Sequence, residues 1–376
     1  MNATTLLYLI ILIAYCFGAH LFLSRSSRGI ASYLLIGNLY LLVFTVFGFL
    51  LWQYLPSEGL FTLYCYGIFV GGVVLLGICA KASWTRYKVL RSFFVILAVI
   101  LLLMALDAFI IEPHWLSIRH ETMYSSKISK PMRICVVADI QTDEIGDFER
   151  EVLMRVKQES PDLVLFCGDY IDRFDELRSH QMKLLNRLLK DIDLAPTHGV
   201  FVVQGDHDVG ADWMKSFDGL SYEVSEHTTT MEAGEATITL LSLADSRDLK
   251  NRPATSKKFH IILGHSPDYV MLRPDADLLV AGHTHGGQIQ LPFIGPLITY
   301  SRVPRQWAGG CMTDTGYGAK LCISRGIGMA RWNSPPVRFL CRPELVFIDV
   351  VPGQPSSVIS ITGDRSNPPT NGPPCF

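Results

Sequence analysis

Four apolar runs occupy most of the first 112 residues, and each is about long enough to cross a membrane as a helix. They are Thr4–Leu23, Ile30–Leu55, Phe61–Ala80 and Phe93–Ile111. Crossing about 30 Å of hydrocarbon takes roughly 20 apolar residues in an α-helix. The sequence therefore predicts a four-span α-helical membrane anchor over residues 1–117. A cleaved signal peptide is the alternative for the first run, but no Lys or Arg precedes this run and it exceeds the usual apolar length.

The composition indicates that the chain has two unlike parts. It is 49% hydrophobic and 18% charged, with a mean hydropathy of +0.27. The first 112 residues hold six of the 33 Lys and Arg and three of the 35 Asp and Glu, which leaves 27 and 32 for the remainder. The net charge of -2 gives no electrostatic basis for a nucleic-acid partner. Nine cysteines in 376 residues are too few for a disulfide-stabilised miniprotein.

Basic residues in two loops predict the orientation of the anchor. They follow the first and third apolar runs: Arg25, Arg28, Lys81, Arg86, Lys88 and Arg91. Short loops rich in Lys and Arg remain in the cytoplasm. With four spans, the amino terminus and everything after the last span are then expected outside the cytoplasm. The sequence thus predicts an integral membrane protein with an extracytoplasmic second domain.

Residues 118–351 show short β-rich runs that alternate with polar helical stretches, a pattern typical of an α/β domain. The predicted strands are Arg133–Ala138, Asp162–Cys167, Gly199–Gln204, Thr237–Leu243, Phe259–Leu263 and Ala276–Ala281. The predicted helices are Asp147–Glu159 and Phe174–Asp193. Residues 352–376 are rich in Pro, Gly, Ser and Asn, which predicts a disordered tail.

Five of the six predicted strands end beside residues that can bind metal ions, usually next to glycine. These residues are Asp139, Asp169, Asp206, His207, Asp208, His265, His283 and His285. Loops at the carboxyl ends of parallel strands converge on one crevice, so these side chains are expected to meet. Mixed carboxylate and imidazole ligands suit Mn, Fe and Zn. Two such ions about 3.5–4 Å apart can share a carboxylate and hold a hydroxide for in-line attack.

These motifs resemble those of the calcineurin-like metallophosphoesterases. The matching segments are Asp139-x-Gln141, Gly168-Asp169-Tyr170-Ile171-Asp172, Gly205-Asp206-His207-Asp208, Gly264-His265 and Gly282-His283-Thr284-His285. Later segments, among them Ser324-Arg325-Gly326 and Pro336-Val337-Arg338, look like the branch that contains exported and multi-span bacterial members. The resemblance covers about residues 130–351. It implies a four-layer α/β/β/α sandwich after the anchor, and a metal-dependent phosphodiesterase or phosphatase activity.

The resemblance also implies a role for each site residue. The first metal ion would be held by Asp139, Gln141, Asp169 and His285. The second would be held by the bridging Asp169 with Asp206, His265 and His283. His207 would protonate the leaving oxygen, Asp208 would orient His207, and Asp172 would support the site from behind. Arg338 and Arg325 are candidates for binding the substrate phosphate, with a structural ion pair as the alternative for each.

Two positions depart from the family pattern, which generally has His at the position of Gln141 and Asn at that of Asp206. A Gln amide is a weaker ligand than imidazole, so the first ion should bind less tightly or be an oxygen-preferring ion such as Mn²⁺. Two divalent ions bring four positive charges, which three carboxylates and a bridging hydroxide neutralise. A neutral centre attracts a dianionic monoester less, which favours a phosphodiester or a lipid-linked phosphate.

The sequence thus predicts a membrane-anchored dimetal phosphoester hydrolase that uses a metal-bridging hydroxide. Its cofactors are expected to be two divalent or mixed-valence ions of Mn, Fe or Zn, and its partners the membrane and a phosphoester. Two alternatives stay open. One is a degenerate metal-binding membrane sensor without turnover, and the other is a cytoplasm-facing hydrolase of a nucleotide-linked lipid precursor.

Overall fold

The computed structural model describes residues 3–25, 29–52, 65–310, 312–331 and 335–353. The chain divides into two compact units. The first comprises the described parts of Met1–Ile111 and Arg331–Pro336, and the second those of Glu112–Ala330 and Val337–Phe376. The predicted disordered tail lies almost entirely outside the described residues, and so do the end of the second predicted span and the start of the third.

The first unit consists of helices that coincide with the apolar runs. Their bounds are Ala3–Leu23, Ile30–Trp52, Val73–Ala82 and Lys88–Leu106, with π-helical segments at Tyr66–Gly72 and Asp107–Ile111. Tyr40 donates a hydrogen bond to the Gly67 carbonyl oxygen at 2.6 Å. A Cβ at Gly71 would lie 2.4 Å from the Tyr40 hydroxyl, so only glycine permits this contact between helices.

One helix among the described residues is long and apolar enough to cross a membrane. It is Lys88–His114, with 27 residues and a mean hydropathy of 3.0. Shorter apolar stretches of 10–17 residues are Tyr8–Leu23, Ile30–Val43 and Tyr66–Ala82. The first two lie within the helices Ala3–Leu23 and Ile30–Trp52. Among the described residues, the structure therefore supports one spanning helix and does not support the predicted four.

The second unit is built on two six-stranded mixed sheets. The first has the order β1-β14-β2-β3-β4-β5 and the second β12-β13-β9-β8-β7-β6. The strands of the first are β1 (Ser117–Ser125), β2 (Met132–Val137), β3 (Leu163–Phe166), β4 (Val200–Val203), β5 (Glu223–Ser225) and β14 (Glu344–Pro352). Those of the second are β6 (Thr229–Ala233), β7 (Ala236–Leu240), β8 (Phe259–Leu263), β9 (Leu278–Ala281), β12 (Met312–Asp314) and β13 (Lys320–Ile323). A small hairpin joins β10 (Gln290–Leu291) to β11 (Gly295–Pro296).

The two sheets pack face to face around an apolar core. Ile134 and Leu165 of the first sheet belong to the same buried cluster as Ile238 and Ile261 of the second. Each such side chain contributes roughly 1.5–3 kcal/mol when it leaves water. All six predicted strands are confirmed. The mixed α/β architecture is confirmed with them.

Helices cover the two outer faces unequally. Helices Asp147–Gln158 and Arg178–Ile192 pack on the first sheet through Val156 and Leu185, as their apolar spacing predicts. The outer face of the second sheet is covered by short elements instead, among them the helix Leu243–Asp248 and the 3₁₀ turn Pro267–Leu272. The outer layer on the second sheet is therefore made of short elements and is thinner than the helical layer of the predicted four-layer α/β/β/α sandwich.

The sheet register fixes which edge of the unit carries the site. β2, β3 and β4 run parallel to one another, as do β7, β8 and β9, so their carboxyl ends share an edge within each sheet. β14 is antiparallel to β2, with Val346 opposite Val136, and parallel to β1, with Glu344 opposite Ser117. The start of β1 therefore lies at the edge where β2 ends. The chain enters the second unit close to this same edge.

Candidate metal centre

The structure gathers the predicted metal ligands at the carboxyl ends of β2, β3, β4, β8 and β9. Among the described residues, three groups have potential ligand atoms within 4.8 Å of one another: Asp139, Asp169 and His285; Asp206, His265 and His283; and Asp169, Asp206 and His207. Asp169 belongs to the first and third of these groups. The groups therefore adjoin through shared carboxylates, as a pair of neighbouring cation sites requires.

Most of these ligands adopt a backbone conformation that is rare outside glycine. The φ angles are 47° at Asp139, 29° at Gln141, 57° at Asp169, 69° at His283 and 48° at His285. Left-handed conformations of this kind cost of order 1–3 kcal/mol each and persist where the surroundings impose them. The Gln141 N–H, for example, donates to the Asp169 carbonyl oxygen at 2.9 Å. The loops thus hold the ligands in place by tertiary contacts.

Glycines beside the ligands permit close approach of the loops. A Cβ at Gly205 would lie 2.1 Å from Asp169 Oδ1, and a Cβ at Gly282 would lie 2.6 Å from Asp139 Oδ2. Both distances are far below van der Waals contact. The glycines that precede Asp206 and His283 are therefore needed to bring neighbouring carboxylates into the site.

The group formed by Asp206, His265 and His283 has the contacts of a cation site. His265 Nε2 lies 3.0 Å from Asp206 Oδ1 and 3.4 Å from Asp169 Oδ2, and His283 Nδ1 lies 3.5 Å from Asp206 Oδ2. His265 Nδ1 faces the Cys167 carbonyl oxygen at 2.8 Å, which fixes the ring. Burial lowers the pKa of His265, but the charges of Asp169 and Asp206 raise it to about 10. The carboxylates therefore stabilise positive charge at this point.

The group formed by Asp139, Gln141, Asp169 and His285 is almost fully buried, and two of its members have polar atoms without a hydrogen-bond partner. Both side-chain polar atoms of Gln141, and Nδ1 of His285, are buried without a hydrogen bond. Buried polar atoms rarely go unpaired, since each costs about 1–3 kcal/mol. Burial also lowers the pKa of His285 well below its usual range, so its imidazole is neutral and can donate a lone pair. The donor set of two carboxylates, an imidazole and an amide fits a divalent ion.

His207 is held by a carboxylate other than the predicted one. Its Nδ1 lies 2.7 Å from Asp172 Oδ1, and its backbone N–H donates to Asp169 Oδ1 at 2.8 Å. Burial lowers the pKa of His207, but the hydrogen bond to Asp172 and the charge of Asp169 raise it to about 9. Because Nδ1 is engaged by Asp172, Nε2 is the nitrogen that can exchange a proton with a substrate.

Asp208 does not orient His207 as predicted. Its carboxylate accepts hydrogen bonds from the backbone N–H groups of Asp169 at 2.7 Å, Tyr170 at 3.0 Å and Gly205 at 2.8 Å. A carboxylate with three backbone donors fixes the loops that carry it. Asp208 therefore ties the loop after β3 to the loop after β4, and the orienting contact belongs to Asp172.

The two arginines proposed for substrate phosphate have structural partners instead. Arg338 is fully buried and donates to the carbonyl oxygens of Cys341, Arg325 and Gly326 at 2.9, 2.9 and 3.2 Å. Arg325 Nε donates to Glu344 Oε2 at 2.9 Å. Both guanidinium groups are thus committed to the loops under the site. The structural ion pair therefore describes Arg325, whereas Arg338 is held by backbone carbonyl oxygens.

An arginine that the sequence did not single out lies at the rim of the site. Arg247 contacts Asp206 Oδ2 at 2.9 Å, and its side chain is half exposed. It borders a cavity of about 510 Å³ that Gln204, Glu226 and Ser242 also line. Arg247 lies in a short polar helix that no motif marks, so the sequence contained no signal for it.

Comparison with known proteins agrees with this geometry. Residues 132–287, which include all the proposed ligands, match the family model described as calcineurin-like phosphoesterase. The chain is 31% identical to the uncharacterized metallophosphoesterase YkuE of Bacillus subtilis over 266 residues, which are 62% of this chain and 85% of that protein. The chain belongs to the calcineurin-like phosphoesterases.

Two further relatives are similar over comparable lengths. Phosphodiesterase YaeI of Escherichia coli is 27% identical, over 64% of this chain and 90% of that protein. An uncharacterized metallophosphoesterase of Aquifex aeolicus is 26% identical, over 64% of this chain and 94% of that protein. This calcineurin-like phosphoesterase is therefore a metal-dependent phosphoesterase of a family that uses two metal ions.

Replacing Asp172 by asparagine should lower the turnover of this phosphoesterase by about 10–100-fold, the usual effect of losing a partner behind a functional imidazole. The amide is neutral and no longer stabilises a protonated His207. Steady-state kinetics combined with metal analysis measures the effect. The metal content should stay at the wild-type value because Asp172 lies outside the three ligand groups. A parallel loss of metal would contradict a role through His207.

Proposed function

We propose that this phosphoesterase hydrolyses a phosphodiester at a membrane surface, with a lipid or a lipid-linked molecule as the substrate class. The observation that carries the hydrolytic part is the pair of adjoining ligand groups around Asp169, with His207 beside them. The membrane part is supported by the apolar helix Lys88–His114, which leads directly into the second unit.

The residues present fit two metal ions with a shared carboxylate. One ion would be held by Asp139, Gln141, Asp169 and His285, and the other by Asp169, Asp206, His265 and His283. When bound, such ions activate water for attack on phosphorus and neutralise the phosphoryl oxygens.

Side chains of the protein carry out the remaining steps of hydrolysis. His207, kept protonated by Asp172, donates a proton from Nε2 to the departing oxygen. Its ring nitrogen lies within 4.8 Å of carboxylate oxygens of Asp169 and Asp206, which places the proton beside the reacting phosphorus. Asp208 keeps the loops after β3 and β4 at a fixed separation through its three backbone donors.

The charge of the site favours a diester over a monoester. Asp139, Asp169 and Asp206 bring three carboxylates, where the family pattern has two and an amide. A phosphodiester carries one negative charge, so it is repelled less than a dianionic monoester. The name of the relative YaeI, phosphodiesterase, agrees with this preference.

The position of the helix favours a substrate in the membrane. The chain enters the second unit at the edge where β2 ends, and β1 lies two strands from β2 in the first sheet. At a strand spacing of about 4.8 Å, the two strands are separated by roughly 10 Å. The chain thus enters the second unit near the strand ends that carry the site. The basic residues Lys81, Arg86 and Arg91, which precede the helix Lys88–His114 or lie in its first turn, favour an extracytoplasmic domain.

Hydrolysis by the full chain, purified in detergent, tests the proposal. We expect turnover with Mn²⁺, Fe or Zn²⁺, two ions per chain, and loss of activity with a chelator. A nitrophenyl diester should be preferred over the monoester by at least about tenfold, equivalent to ~1.4 kcal/mol of transition-state binding. Preference for the monoester would contradict the charge argument, and inertness with every metal would favour a sensor. A reporter fused after Phe376 would decide between the two topologies.

A further inference from the structure

An apolar hairpin projects from the second unit next to the metal centre. It comprises residues 291–300, includes β11 and contains no charged residue. Phe293 at its tip is 95% exposed, and Ile294, Leu297, Ile298 and Tyr300 are exposed as well. Single exposed apolar residues are common on protein surfaces, but a contiguous group of this kind marks an interaction site.

The hairpin is held firmly at its base. Leu291 pairs with Gly295, and the Tyr300 carbonyl oxygen accepts a hydrogen bond from His283 Nε2 at 3.2 Å. A Cβ at Gly287 would lie 2.7 Å from the Ile298 carbonyl oxygen, so the returning chain packs directly on the loop that carries His285. The tip is therefore exposed although the base of the hairpin is well packed. This packing holds the hairpin in a fixed position relative to the metal centre.

The base of the hairpin is also connected to the point where the chain enters the second unit. Ile289 forms a bridge with Phe339, and the Phe339 N–H donates to the Gln288 carbonyl oxygen at 2.9 Å. The next residue, Leu340, donates its N–H to Glu112 Oε2 at 2.8 Å. Glu112 is the first residue of the second unit and directly follows Ile111 of the apolar helix. The hairpin and the entry of the helix thus lie on one edge of the unit.

An aromatic residue and a basic residue lie at this edge of the second unit. Trp115 is half exposed, and the guanidinium carbon of Arg342 lies 3.4 Å from the centroid of its ring. Tryptophan and arginine side chains are favoured at the level of lipid headgroups, where an apolar ring meets a charged surface. Exposed apolar side chains at a membrane surface can enter the acyl boundary to a depth of about 5–10 Å.

We propose that the apolar hairpin inserts into the phospholipid bilayer that the helix Lys88–His114 crosses, and that this contact seats the metal centre at the level of the lipid headgroups. The inference rests on the membrane attachment put forward under the proposed function. It adds a second point of contact beside the helix. Because His283 is hydrogen-bonded to the hairpin, insertion fixes the height of the site above the acyl chains.

Photo-crosslinking in lipid tests the insertion directly. Azidophenylalanine is placed at position 293 of the full chain, in nanodiscs of phosphatidylcholine and phosphatidylglycerol, and lipid adducts are measured by mass spectrometry. Tyr124 is the matched control position, because it is an exposed aromatic residue near the carboxyl end of β1. At 3.3 Å per residue, Tyr124 lies about 23 Å from Ser117, the residue at which β1 begins. We expect lipid adducts at position 293 in large excess over position 124.

Equal adduct yields at the two positions, or protein–protein adducts at 293 that join two chains, would overturn the inference. A second experiment measures the turnover of one variant that carries both Phe293→Asp and Ile294→Asp. Tyr124→Asp is its control. The double variant should lose most turnover of a phosphodiester lipid in vesicles and retain that of a soluble nitrophenyl diester. Equal turnover of the lipid would also contradict insertion. A wild-type chain that crosslinks to lipid but hydrolyses neither ester would refute the proposed function alone.

Discussion

Replacing Asp169 by asparagine should lower phosphodiester turnover by about a thousandfold or more, equivalent to at least ~4 kcal/mol of transition-state stabilisation. Asp169 belongs to two of the three ligand groups, and its Oδ2 lies 3.4 Å from His265 Nε2. Burial raises the pKa of Asp169 well above its usual range, so the ionised form needs cations beside it. A neutral amide in its place should weaken the binding of both ions, which kinetics and metal analysis measure together.

The Asp169→Asn variant should fold, because the amide side chain would retain an oxygen to accept the His207 N–H. Asp277→Asn is the matched control. Asp277 directly precedes β9, at the end of the strand opposite the metal centre. Its Oδ2 accepts hydrogen bonds from the His260 N–H and from Lys127 Nζ. The control should keep two ions and wild-type turnover. An Asp169 variant with a full complement of metal and near-normal turnover would exclude a bridging role.

The strands and the gathering of the ligands were predictable because both depend on local sequence. Runs such as Phe259–Leu263 are short and apolar, and each is followed by a glycine and a ligand, so strand and loop are marked in one segment. Parallel pairing then requires the loops after β2, β3 and β4 to share an edge. No contact between distant residues had to be known for this conclusion.

The partners of individual side chains were not predictable, because they depend on long-range pairing. Glu344 begins β14 of the first sheet and Arg325 follows β13 of the second, so their contact depends on how the two sheets pack. The family pattern made Asp208 the partner of His207 and gave Asp172 only a supporting role, although both side chains are carboxylates. Only the loop geometry shows that Asp208 is occupied by backbone N–H groups.

The apolar runs predicted helices correctly, but the described residues do not support four spans. Among them, Lys88–His114 is the one helix that is long and apolar enough to cross a membrane. Its continuation past Leu106 through π-helical and 3₁₀ turns as far as His114 could not be anticipated from composition.

Replacing His207 by alanine should depress the hydrolysis of alkyl phosphodiesters by about 10²–10⁴-fold, the range typical of a lost general acid. An alkoxide is a poor leaving group and needs the proton that His207 supplies. A nitrophenolate leaves without a proton, so the nitrophenyl diester should lose about tenfold or less. The comparison of the two esters in steady-state kinetics is therefore the measurement. Metal content should stay at two ions per chain.

The dependence on the leaving group separates proton donation from a structural role. His207 also donates its backbone N–H to Asp169, but alanine retains that N–H, so the ligand loop should not shift. If the substitution acted by disturbing the ions, both esters would slow equally and metal would be lost. Asp172→Asn should reproduce the same bias toward the aryl ester at smaller amplitude, because Asp172 acts on the reaction through His207 Nδ1. Equal losses for both esters in both variants would assign His207 to metal binding instead.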